Sequence, residues 1–149
     1  MTDYRQLAVD LFNHTWTLLD SQNRTSEQDE EMVHSAHASR HHWGIAGTTK
    51  NGARGERQIA RAYAALERYT SSEHHATLYM DACLSHEFED WDVPFAHEGL
   101  ARALALHDSV KAKEHLAEAR RLGEMIEKEE DKTWLFTNLD EIAAMIHDG

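Results

Sequence analysis

Residues 59–64 read Ile59-Ala60-Arg61-Ala62-Tyr63-Ala64, and 41 positions later residues 100–105 read Leu100-Ala101-Arg102-Ala103-Leu104-Ala105. The match continues at the same offset. Glu73-His74 lies over Glu114-His115, Ala76 over Ala117, Glu89-Asp90 over Glu130-Asp131, and Phe95 over Phe136. Recurrence at one offset across two helical segments and their turns marks an internal repeat. The repeating unit is a helical hairpin. Small residues at Ala60, Ala64, Ala101 and Ala105 let partner helices approach closely. One hairpin cannot bury its apolar stripe alone, so hairpins stack and the stack is the core.

The flanking sequence extends this pattern to about seven helices in antiparallel hairpins. The first is expected over Asp3–Leu19, with Leu7, Leu11, His14 and Leu18 on its apolar face. Thr25 and Gln28 form a capping box that opens the second, which continues to about Trp43. Gly44, Gly47, Gly52 and Gly55 then predict a loop over about 44–55. The third helix is expected over Glu56–Arg68, and the fourth from a Thr70/Glu73 capping box to His86. Asp92 caps the fifth, with Pro94 in its first turn, and Asp108 or Ser109 caps the sixth. Thr133 opens the last, which ends near His147. The expected fold class is all-α, one helical-repeat domain over 1–149.

Composition narrows the functional classes. The 149 residues carry 15 Lys and Arg against 27 Asp and Glu, a formal charge of −12. That charge opposes nucleic acid and anionic membrane surfaces. One proline and seven glycines argue against a turn-rich β fold. The single cysteine, Cys83, excludes an intrachain disulfide. No apolar run approaches the roughly 20 residues that span a bilayer, and the first residues lack a signal-peptide pattern. A cytoplasmic location is the expectation.

Leu100-Ala101 followed by Leu104, the His107-Asp108 turn, and Ala112, Leu116 and Ala119 resemble the tetratricopeptide-repeat family. Ile59, Ala60 and Tyr63 fit the same pattern in the preceding unit. The period is 41 and not 34, and the proline after the second helix is missing. The resemblance covers about 55–146. It implies hairpins stacked as a short superhelix, with a peptide or protein bound in a concave groove. First helices would line that groove, and Glu56, His97 and Asn138 occupy equivalent places in the repeat.

The twelve histidines are the chemical oddity. Glu30, His34, His37 and His41 fall within a roughly 60° arc of the second helix. Histidines at i, i+3 and i, i+4 can chelate a divalent ion through imidazole nitrogen, and a carboxylate can join or orient them. The sequence names no cofactor. A divalent ion of zinc, iron, nickel or copper is the class this stripe would take. One helix rarely completes a metal site, so His14 or His97 would contribute further donors. Met32, Ala36 and Trp43 lie on a separate, core-facing side. Trp43, His14, Arg54, Glu56 and His97 are the candidates to line a ligand pocket.

Two functions follow. The first is a helical binding protein with a histidine-lined pocket or groove for a peptide, small ligand or metal. The second is a metal-dependent enzyme using the second helix. A homo-oligomer, capped or joined through the Trp134-Leu135-Phe136 helix, is compatible with both.

Overall fold

The computed structural model describes residues 1–146. Among them the fold is all-α, with seven helices and no strand. These are α1 (Tyr4–Asp20), α2 (Ser26–Ala46), α3 (Thr49–Ala65), α4 (Tyr69–Ser85), α5 (Asp92–Leu104), α6 (Ser109–Gly123) and α7 (Glu129–Met145). The expected end of the last helix at His147 lies outside the described residues. None of these helices is long and apolar enough to cross a membrane. The chain forms two compact units, Met1–His75 and Ala76–Gly149.

In the first unit α1, α2 and α3 pack against one another. Leu18, Met32, Ala36, Ile59 and Ala62 form a buried cluster, with Leu19, Tyr63 and Leu66 packed against it. Removing these side chains from water is the main stabilising term. Buried polar groups tie the helices at fixed points. Ser39 Oγ donates to Ala8 O at 2.8 Å, and Ser72 Oγ to Ala60 O at 2.8 Å. Gln58 Nε2 donates to Phe12 O at 2.8 Å.

The α1 expectation is corrected by one residue. Ala8, Thr15 and Leu18 are buried, whereas Leu7 is exposed and His14 points outward. The inward face follows the small residues, because Ala8 lets Ser39 of α2 reach the α1 backbone.

In the second unit α5, α6 and α7 pack together. Ala101, Ala112 and Ala119 are fully buried beside Phe95, Leu100, Leu116, Leu135, Leu139 and Ile142. In the repeated segments Ala60 and Ala62 of α3 and Ala101 and Ala103 of α5 are buried, whereas Arg61, Tyr63 and Ala64 are half-buried where Arg102, Leu104 and Ala105 are buried.

The local start signals were partly legible. The Thr25/Gln28 capping box forms with both bonds, and Asp108 accepts from Lys111 N at 3.2 Å. Other starts differ. The α4 helix begins at Tyr69, so Thr70 is inside it, and α7 begins at Glu129, ahead of Thr133. The N-cap of α5 is Trp91. Asp92 is buried and accepts from the Tyr79 hydroxyl at 2.5 Å and from Glu89 N at 2.9 Å.

The expected loop over 44–55 is helix apart from Gly47 and Thr48. Its glycines make room and do not break the chain. Gly47 ends α2 where a Cβ would lie 2.7 Å from the Trp43 ring. Gly52 and Gly55 are buried in α3 under the side chain of Arg40, which reaches across from α2. A second capping box, Thr48 with Asn51, opens α3.

Candidate functional site

Three helices of the first unit bring five polar side chains into one array. Arg40 and His37 come from α2, Glu56 and Tyr63 from α3, and His75 from α4. Glu56 is the hub. Its Oε1 accepts from Arg40 Nε at 2.9 Å and its Oε2 from His75 Nδ1 at 2.7 Å. A carboxylate only accepts, so the His75 proton facing it is on Nδ1, and a neutral His75 has Nε2 as its acceptor. The His75 ring stacks on Tyr63, with centroids 5.7 Å apart and planes at 16°. The Tyr63 hydroxyl lies 2.8 Å from His37 Nε2. His37 also meets His75 edge-on at 5.5 Å.

Burial differs along the array. The Glu56 and His75 side chains are 14% and 16% exposed, and Arg40 is 36% exposed. His37 is exposed at the opposite end. Burial raises the Glu56 carboxyl, but the hydrogen bond and charge of His75, followed by those of Arg40, outweigh it. The carboxyl is held below its ordinary value. His37 is lowered first by partial burial and then by repulsion from His75, against the opposing pull of Glu56. The inner end thus favours the Glu56 carboxylate, while at the outer end His37 favours neutral imidazole.

The sequence candidates are distributed more widely than one stripe suggests. Glu30 accepts from Arg68 Nη2 at 3.0 Å on the surface. His34 and His41 are exposed on α2, and His41 lies edge-on to His42. His42 stacks on Tyr4, and its Nδ1 is buried without a hydrogen-bond partner among the described residues. Among the described residues no group of three or more His, Cys, Asp or Glu is placed to hold a metal ion. His14 is 44% exposed and lies 3.5 Å from Glu31. Trp43 belongs to the core, with the Arg5 guanidinium over its ring at 5.3 Å. Arg54 is half-buried on α3, two residues before Glu56.

His97 belongs to the second unit. Its Nδ1 lies 2.9 Å from Nδ1 of His115, so these two nitrogens share one proton. Burial lowers His97 first, and repulsion from His115 adds to it, with Arg121 lowering and Glu118 raising. The three repeat-equivalent positions have different partners: Glu56 accepts from Arg40 and His75, His97 meets His115, and Asn138 Oδ1 accepts from Arg102 Nη2 at 3.2 Å.

A pH dependence follows for the second unit. His97 is lowered below 6.5 in the fold, so the unfolded chain binds more protons just below that value. Stability is full above it and falls as pH drops from 6.5 toward the depressed folded value. Urea unfolding should show a lower midpoint at about pH 5.5 than at about pH 7. The drop should be smaller in His97→Gln, and an equal drop in both proteins would contradict the assignment.

Arg40, Tyr63 and His75 were not singled out by sequence reasoning as site residues. The carboxylate that His75 meets is not the nearby Glu73 but Glu56, 19 residues away on another helix. Arg40 had one available signal: Gly52 and Gly55, within one turn of each other in α3, mark a place where a neighbouring side chain comes close. No protein family, characterised protein or solved structure matches the chain.

Proposed function

We propose that the protein is a TPR-like helical binding module that takes a peptide at the His37–Tyr63–His75–Glu56–Arg40 array. The single supporting observation is the continuity of that array. Five polar side chains from three helices are joined by contacts of 2.7–2.9 Å and one ring stack. Helix packing alone does not require so many polar groups at a half-open site. Rigid aromatic faces with fixed donors and acceptors suit peptide recognition, which needs contact area and orientation. Both oxygens of Glu56 are engaged, so it serves to position its neighbours and does not face the ligand alone.

The metal-dependent alternative draws on Glu30, His34, His37 and His41. Glu30 is taken by Arg68 and His37 by Tyr63, which leaves that reading without a gathered donor set.

An array of random-sequence peptides, probed with untagged protein in excess chelator, tests the proposal. A recurrent sequence preference is expected, persisting in chelator and lost in His37→Ala/Tyr63→Phe at unchanged melting temperature. Absence of any preference would reject a peptide module. A preference abolished by the chelator would return the stripe on α2 to consideration as a metal site.

A further inference from the structure

The most unusual packing in the first unit surrounds Arg40. Its side chain lies against three glycines from two helices. A Cβ on Gly55 would sit 2.9 Å from Arg40 Cδ, one on Gly52 3.2 Å from Cζ, and one on Gly44 3.5 Å from Nη1. Any other residue at Gly52 or Gly55 would displace the guanidinium or crowd it. Glu56 then fixes its orientation through Nε at 2.9 Å. This use of Nε leaves both terminal amino groups without a protein partner among the described residues, and neither is buried.

We propose that Arg40 is an oxyanion seat, in which Nη1 and Nη2 together clasp a carboxylate or phosphate group of the ligand. A guanidinium offers two parallel N–H bonds to such a group. Its usual cost on binding is the ordering of a long side chain. Here the glycine trough and Glu56 have already ordered it. The surrounding charge agrees despite the acidic chain. Helix α3, which runs beneath the guanidinium, carries Lys50, Arg54, Arg57 and Arg61, and Glu56 is its only acid. That acid is shared between Arg40 and His75, so Arg40 is only partly neutralised.

The inference deepens the binding-module reading and rests on it only in assigning the anion to the module's ligand. The test uses the intact chain, titrated separately with inorganic phosphate and with N-acetylglycine and followed by 15N-resolved NMR. Saturable shifts at Arg40 Nε and at the Gly52 and Gly55 amides are expected. The tighter probe identifies the oxyanion source as phosphate or carboxylate. Arg40→Lys keeps the charge but removes the fork and should weaken binding tenfold or more. Gly52→Ala keeps the arginine but shifts its guanidinium, and should weaken binding while the melting transition stays cooperative. Shifts that persist unchanged in Arg40→Lys, or that spread evenly over α3 without saturating, would overturn the seat. Peptide recognition insensitive to Arg40→Lys, with no response to either probe, would remove the seat and leave the binding module standing. Anion binding without peptide recognition would do the reverse.

Discussion

Arg102→Ala should destabilise the second unit by about 3–5 kcal/mol, because it removes the guanidinium that donates to the buried Glu98 carboxylate. Arg102 is 7% and Glu98 4% exposed. Arg102 Nη2 donates to Glu98 Oε1 at 3.0 Å and to Asn138 Oδ1 at 3.2 Å, and Nη1 reaches Glu141 Oε1 at 3.4 Å. One guanidinium therefore links α5 to α7. Its exposed partner Glu141 adds little, since water and salt screen it. The buried partner decides the size of the effect. Arg102→Leu combined with Glu98→Leu should recover most of the loss, because no charge is then stranded. Urea unfolding of the three proteins checks this. A loss below about 1 kcal/mol for Arg102→Ala would mean that Glu98 is solvated or protonated without it.

Glu56→Ala is the second large effect, at about 2–4 kcal/mol, because two charge-assisted bonds end on one mostly buried side chain. Arg40 and His75 would both lose their acceptor, and the His75 ring its orientation over Tyr63. Glu56→Gln keeps one carbonyl oxygen and should cost about half as much. The sign with pH is set by the lowered carboxyl. This contribution is present above the ordinary value of 4.5 and is lost as pH falls through the depressed folded value. Chemical denaturation near neutral pH measures it. Both variants within about 0.5 kcal/mol of the parent would mean that the array does not hold the three helices together.

The helical architecture was legible because it is written locally. Apolar spacing, the Thr25/Gln28 box and the Asp108 cap each act within a few residues. Within Ile59–Ala64 and Leu100–Ala105 the 41-residue repeat is matched in burial only at Ile59, Ala60 and Ala62 against Leu100, Ala101 and Ala103. What failed depended on distant partners. The glycines at 44–55 read as a loop because the need they meet, room for Arg40, arises on the facing helix. His14 read as inward because leucine spacing outweighed the buried small residues Ala8 and Thr15, of which Ala8 meets Ser39 of α2. Along α2 the histidines share one face, but their engagement is decided elsewhere. Tyr63 takes His37 and Arg68 takes Glu30. Periodicity places a residue on a face and says nothing about which neighbour meets it.

The protonation geometry of His75 tests the account most directly. Long-range 1H–15N correlation on the 15N-histidine-labelled intact chain reports which ring nitrogen carries the proton. A neutral His75 should hold it on Nδ1, toward Glu56, and should lose that preference in Glu56→Gln. A proton on Nε2 in the parent protein, unchanged by the substitution, would mean that the carboxylate does not orient the ring, and the five-residue array would fall with it.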